Sequence, residues 1–548
     1  MRPEEGVRIH VDASRWISEL PHNWNYIGYD EINYTYTPEG QALLAKFQAL
    51  QDKPYYVRVH HLLCTGNCHG FYKWGSTNAY IERDGQPIYD WTIVDLVFDT
   101  LLKHNCKPFV ELGFMPQHLA DPAYYKVEDD DWIHRNYRAY GFASPPKDYQ
   151  KWYDLIYSLV QHCVERYGEA EIASWYWELW NEPDLRYYWA GSIEDFNKLY
   201  DYTVAAVKAA SPTARVGGPG TTNPKHDGYS GQFLDAFLDH CVNGMNTFTD
   251  EQGTPLDFLS FHVKGGGYRA DPLHMKQAPP SVKRIVEDTR TGYEIISKYP
   301  SLTGLECILS EIDPDGWAAG GAWDNANLNF RNTPYYPSFV VTAFDQLTRF
   351  AQANKWDLRF LSWAFLFVGE RCFEGTRSFS TQGIDKAILN LFRMYGKLGH
   401  QGVAFASSRA QDPALYADMN GNRMPSHVSG MATLRGNNAL TILVYNHHDD
   451  WDRNNSDQIN LSIANLPFEA ETLVLRHYRI DGQHSNAYQE WLAQDQPMYP
   501  ADNQYQAIKQ RDGLELLEAP KIISNESHIN LNFELPVHGI SLIELSAP

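Results

Sequence analysis

Residues 21–400 alternate short apolar or aromatic runs with long amphipathic segments, a pattern that few folds satisfy. The strand-like runs are Tyr26–Tyr29, Tyr55–His60, Lys107–Leu112, Ser174–Asn181, Ala214–Pro219, Asp257–Val263, Cys307–Ile312 and Phe360–Phe365. Between them lie Thr92–His104, Gln150–Tyr167, Glu194–Ala210, Gly231–Val242, Val282–Lys298 and Ser338–Ala353, whose apolar residues recur at helical spacing, as in Val94, Leu96, Val97, Leu101 and Leu102. Alternating units of this length predict a parallel sheet, and eight strands favour a closed (β/α)8 TIM barrel. Tyr26–Tyr29 is the weakest of the runs, and without it an open doubly wound sheet is the alternative.

After Gly399 the pattern changes to strand-like runs separated by turn residues: Leu440–Tyr445, Ile459–Ile463, Thr472–Tyr478, His528–Phe533 and Gly539–Leu545. Asn420-Gly421 and Asp481-Gly482 mark tight turns, and no long helical period appears. The expected organisation is a catalytic barrel over 21–400 and a C-terminal β-sandwich accessory domain over 401–548. Residues 1–20 add a strand, Gly6–Asp12, that pairs with the sandwich.

The formal net charge of −22 argues against binding nucleic acid or an anionic membrane. Tyr (35) and Trp (16) dominate the aromatics, and their rings suit sugar faces as well as core packing. Seven cysteines in a chain of 548 residues do not make a disulfide scaffold, and Cys64-x3-Cys68 lacks the second pair that a zinc site needs. They are expected to be reduced and buried. The N-terminal stretch has no apolar signal core and no run is long enough to span a membrane, so the expectation is a soluble, cytoplasmic protein. The run His447-His448-Asp449-Asp450 reads as a solvated hairpin loop rather than a metal site.

Chemistry in a barrel of this kind sits where strands end at the C-terminal face, so acids at strand ends are the candidates. Two stand out. Glu182 lies in Trp180-Asn181-Glu182-Pro183, where the proline ends the strand, and Glu311 lies in Leu309-Ser310-Glu311-Ile312-Asp313. They close the fourth and seventh strands and can face each other across the mouth. Two carboxyl groups flanking one bond are what glycoside hydrolysis requires. Asn181 adds an amide for a sugar hydroxyl, and His60 and His262 add imidazoles at strand ends. Strand alternation puts Glu178 on the face of Glu182 but ~13 Å deeper, which predicts a structural role. Glu111 reads similarly. No metal or cofactor is called for.

An ordered series of motifs resembles glycoside hydrolase family 39, the family of β-xylosidases and α-L-iduronidases. Val57-Arg58-Val59-His60 is followed by Asp84-Gly85, Pro108–Pro116, the Trp-Asn-Glu-Pro run, Val216-Gly217-Gly218-Pro219, Ser260-Phe261-His262 and the Glu311 strand. The resemblance implies a retaining mechanism on a terminal sugar of an oligo- or polysaccharide, with Glu182 as acid/base and Glu311 as nucleophile. It leaves the sugar open. Pro108–Pro116 looks like the xylosidase branch, whereas Val263-Lys264-Gly265-Gly266 and Asp313-Pro314-Asp315-Gly316-Trp317 look like the iduronidase branch. In that branch a lysine at Lys264, a glycine amide near Gly316 and an arginine near Arg377 hold a uronate carboxylate. Gly316 sits one residue closer to Glu311 than that pattern has it. The other assignment has Lys264 extending a loop and Arg377 pairing with Glu370 or Glu374. Glu370 is itself a candidate substrate ligand. An endo-acting hydrolase and a catalytically silent carbohydrate-binding barrel are the competing functions.

Overall fold

The computed structural model describes residues 6–66, 76–125, 140–266, 280–316, 321–323, 325–364, 369–412, 425–436 and 438–548. Eight strands close a barrel: β1 (Tyr26–Tyr29), β2 (Tyr55–Val59), β3 (Cys106–Leu112), β4 (Tyr176–Leu179), β5 (Arg215–Thr221), β6 (Phe258–Lys264), β7 (Glu306–Asp313) and β8 (Leu358–Trp363). Every neighbouring pair is parallel, including the closing pair β8–β1, so the short first strand completes the cylinder. A doubly wound sheet is thereby ruled out.

The outer helices form where the apolar spacing put them. In Ile193–Ala210 a capping box between Ser192 and Asp195 starts the helix, and Phe196, Leu199, Tyr200, Val204 and Val207 face the barrel. Tyr149–Tyr167 is capped by Asp148, whose carboxylate accepts from the Gln150 and Lys151 amides. The helices Pro38–Gln48 and Ala387–Gly396 follow the first and last barrel strands and were not singled out in the sequence.

The N-terminal strand Val7–Glu19 runs antiparallel to Gln401–Ser407 and parallel to Ser456–Ala464. It sits inside a ten-stranded sheet otherwise built from the C-terminal region. That sheet folds over, so Val7, Ile9 and Ile459 from one half share a core with Leu440, Leu473 and Ile543 from the other. The region is not purely β. Helices Ala487–Ala493 and Asp502–Lys509 interrupt it, too short to register as a sustained period.

The two domains meet along helix Tyr335–Asn354, which is buried on nearly all sides because the sheet covers its outer face. Tyr445 donates to Asp345 (2.7 Å), and His447 Nδ1 and Ser338 Oγ share a 2.9 Å hydrogen bond. This corrects the reading of His447–Asp450 as a solvated loop: His447, His448 and Asp449 are buried. The Asp449 carboxylate accepts from Ser281 Oγ (2.9 Å) and the Val282 amide (3.2 Å), at the start of a barrel helix. Alternation along one strand cannot reveal which domain lies against it. Cys64, Cys106, Cys163, Cys241, Cys307 and Cys372 are buried free thiols, while Cys68 and the Asn420-Gly421 turn fall outside the described residues. Among the described residues no helix is long and apolar enough to cross a membrane.

Candidate active site

Strand β4 ends at Leu179, three residues before Glu182, so strand alternation does not relate Glu178 to Glu182. Instead Trp180 (φ 69°) and Glu182 (φ 46°) both adopt the left-handed conformation. Such residues cost of order 1–3 kcal/mol each and persist only where the surroundings hold them. Here the Trp180 amide donates to Leu112 O (3.3 Å) and its indole N–H to Tyr188 O (2.8 Å). The Glu182 amide donates to Gly220 O (2.9 Å). Beyond the turn, the Asp184 carboxylate accepts from the Thr222 amide (2.9 Å). The turn swings Glu182 over the mouth of the barrel.

Glu311 lies on β7 itself, after an irregularity in its pairing with β6 between Leu309 and Glu311. The shift sets Glu311 beside His262 and Asp313 beside Lys264. One carboxylate oxygen of Glu182, one of Glu311 and a ring nitrogen of His262 all lie within 4.8 Å of one another. The nearest oxygens of the two acids are thus close enough for the carboxyl groups to flank one glycosidic bond.

The two acids differ in electrostatics. Burial and the neighbouring Glu311 carboxylate push Glu182 up to about 7, so it carries a proton near neutrality. Burial also works on Glu311, but cations outweigh it, Lys264 foremost, and hold it ionised well below the usual carboxylate range. Lys264 Nζ donates to Glu311 Oε2 (2.6 Å), with Arg377 Nη2 3.6 Å from the same oxygen. Arg58 Nη1 and His60 Nε2 approach Oε1 at 3.3 and 3.5 Å. Glu182, His262 and Glu311 are close enough to share a metal ion, but the cations around Glu311 already compensate the charge that an ion would require.

His262 is buried and held down to about 3, mainly by that burial, so its imidazole is neutral; Nδ1 shares a 2.8 Å hydrogen bond with Glu182 Oε1. His60 behaves oppositely. Burial disfavours its charge, yet Glu111, accepting from Nδ1 at 2.6 Å, raises it to about 10. Beneath them Arg58, fully buried, binds Glu178 (2.5 Å), Glu111 (2.9 Å) and the Asn181 side-chain oxygen (3.1 Å). Glu178 and Glu111 therefore contact Arg58, and Asn181 is oriented by it. The Trp363 ring at the end of β8 lies under the guanidinium groups of both Arg58 and Arg377.

The structure brings His60, Asn181, His262, Lys264 and Arg377 together with the two acids. Arg377 reaches Asp313 and Glu311, whereas Glu374 pairs with Arg371. Glu370 stands apart from this group. It accepts from the Gly375 amide (3.0 Å), and burial, against the pull of Lys386, raises it to about 7. The Gly316 amide donates to Gly266 O (3.1 Å), so that donor is already engaged within the loop pair. Trp317 lies outside the described residues. Sequence reasoning passed over Arg58, Asp313 and Trp363. The usable signal was an arginine inside the apolar strand Val57-Arg58-Val59, where a buried cation demands carboxylates nearby.

Residues 7–529 match the family model of glycosyl hydrolases family 39. A β-xylosidase of Geobacillus stearothermophilus is 26% identical over 511 residues, 89% of this chain and 86% of that protein. An α-L-iduronidase of Mus musculus is 24% identical over 573 residues, covering 99% and 81%. A bacterial orthologue of human α-L-iduronidase has a similar structure, with TM-score 0.77 and 22% identity, covering all of this chain and 84% of the other. A monomeric β-xylosidase from Caulobacter crescentus CB15 superposes with TM-score 0.76 and 20% identity, covering 98% and 99%. With a matching fold, a matching order of motifs and a family model spanning nearly all of it, the chain belongs to glycosyl hydrolases family 39.

Proposed function

We propose that the protein is a retaining, exo-acting glycosidase that removes a terminal uronic-acid sugar from an oligo- or polysaccharide, with Glu182 as acid/base and Glu311 as nucleophile. Glu182, protonated near neutrality, gives its proton to the glycosidic oxygen as the bond to the anomeric carbon breaks. Ionised Glu311 attacks that carbon and forms a glycosyl ester, and the leaving alcohol departs with the proton. Glu182, now a carboxylate, takes a proton from water; the water oxygen displaces Glu311, and configuration is retained overall. The separated proton affinities of the two acids speak against a silent barrel.

The uronide reading rests on one observation: Lys264 from β6 and Arg377 from the segment after β8 converge on Glu311 Oε2 and on Asp313. Two cations flanking the reacting sugar suit a substrate carboxylate, which the guanidinium fork and the ammonium both bind well. A neutral β-xyloside is the second reading. It is favoured by the fact that both cations already have carboxylate partners in the protein, so a pentose leaves no charge bare. Steady-state kinetics on a matched pair of aryl glycosides, one uronide and one xyloside, tests the choice. A kcat/KM higher for the uronide supports the first reading, and turnover of the xyloside alone overturns it.

A further inference from the structure

Glu311 and Asp313 occupy alternate positions on β7, so their side chains emerge on one side of the strand, and Asp315 follows just past its end. Each acid meets a cation. Glu311 takes Lys264 and Arg58, Asp313 takes Lys264 and Arg377, and Asp315 takes Arg331 at 2.9 Å. Asp313 is the middle member and is almost wholly buried. Its Oδ2 accepts from Lys264 Nζ at 3.0 Å and from Arg377 Nη2 in a shorter contact. Among the described residues its Oδ1 has no hydrogen-bond partner, with Arg331 Nη1 3.6 Å away. Burial disfavours the Asp313 charge, but Arg377, Lys264 and Arg331 keep it ionised. Two like charges from separate elements thus meet on one carboxylate oxygen, and Lys264 divides its charge between Asp313 and the nucleophile.

We propose that Asp313 is a positioning residue that sets the electrostatic strength of the Lys264–Arg377 pair, both toward Glu311 and toward a carboxylate on the sugar. The part concerning the sugar rests on the uronide reading; the part concerning Glu311 does not. With Asp313 ionised, Lys264 is drawn partly away from Glu311, which leaves the nucleophile more electron-rich than full pairing would allow. The same charge makes the subsite less attractive to an anion, because a uronate has to share cations that Asp313 already holds. Removing the charge while keeping the shape should move these two properties in opposite directions.

The test is Asp313→Asn, with Asp313→Glu beside it, each checked by thermal melting. The readouts are kcat on the aryl glycoside that the enzyme turns over and inhibition by free glucuronate. In the Asn variant kcat should fall about tenfold, and the glucuronate Ki should also fall about tenfold, meaning tighter binding, since roughly 1.4 kcal/mol is within reach of one charged hydrogen bond. A Ki that rises together with a falling kcat is what a merely structural residue would give, and it overturns the proposal. So does an unchanged kcat. If the wild-type enzyme neither turns over a uronide nor binds glucuronate, the uronide reading fails, and the kcat of the Asn variant alone decides the role of Asp313. Should the Asn variant not fold, Asp313→Glu decides: with the charge retained, glucuronate should bind as in the wild type, and weakened binding overturns the proposal.

Discussion

His262 Nδ1 lies 2.8 Å from Glu182 Oε1 and 3.9 Å from Glu311 Oε1, so one buried, neutral imidazole sits between the two acids. It touches the group that must give up and regain a proton without adding a positive charge that would hold that group ionised.

This arrangement sets a pH profile. Glu182 must be protonated and Glu311 ionised, so kcat/KM should be level on the acid side of neutrality and fall above about pH 7 as Glu182 loses its proton. The same shift bears on stability. The folded protein holds a proton on Glu182 that the unfolded chain releases near its ordinary carboxylate value, so stability from this site declines as pH rises from about 4.5 to about 7. Glu182→Gln should remove the alkaline limb from whatever activity remains on activated aryl substrates; a limb that persists assigns it to another group.

The two acids should also separate chemically. Glu311→Ala should abolish turnover, and added azide should restore a product inverted at the anomeric carbon. Glu182→Ala should cost ~10²–10⁴-fold on poor leaving groups and little on good ones, because only the former need protonation. Product analysis by NMR with azide present distinguishes them, and exchanged responses would mean exchanged roles.

Lys264→Ala should affect every substrate, because Lys264 contacts Glu311 directly at 2.6 Å. A uronide should lose a further ~1.5–3 kcal/mol in transition-state binding relative to a xyloside, as expected for a lost charged hydrogen bond. Comparing kcat/KM for the two substrates in both proteins measures the difference. Equal losses would confine Lys264 to the nucleophile and favour the neutral sugar.

Arg58→Met should destabilise the fold as well as the site. It removes the cation from two fully buried carboxylates, Glu111 and Glu178, and breaking such a pair typically costs ~3–5 kcal/mol. Denaturant unfolding of the wild type and the variant gives the value directly. A change below ~1 kcal/mol would show that the fold does not depend on this buried cation.

The repeated strands and helices were legible because burial imposes periodicity on the residues that make them. The Trp-Asn-Glu-Pro run and the Glu311 strand stood out for the same reason, as polar groups at the ends of apolar runs. The approach to Glu182 was misjudged because alternation holds only while the backbone stays extended, and the chain leaves β4 at Leu179 through left-handed residues. Glu370 is a candidate ligand in the sequence, yet in the structure it accepts from the Gly375 amide and faces the charge of Lys386.

By itself, the sequence determined the barrel and the strand ends that carry acids, since each follows from local spacing and residue type, and its ordered motifs carried the resemblance to the family. Only the tertiary structure decided which charges meet. Arg58, His262, Lys264, Asp313 and Arg377 come from four separate places in the fold, and their partners are set by barrel closure and by the β6–β7 register. The different proton affinities of Glu182 and Glu311 are likewise a tertiary property. Both are glutamates at the barrel mouth, and they differ because the cations crowd around one carboxylate while a neutral imidazole faces the other.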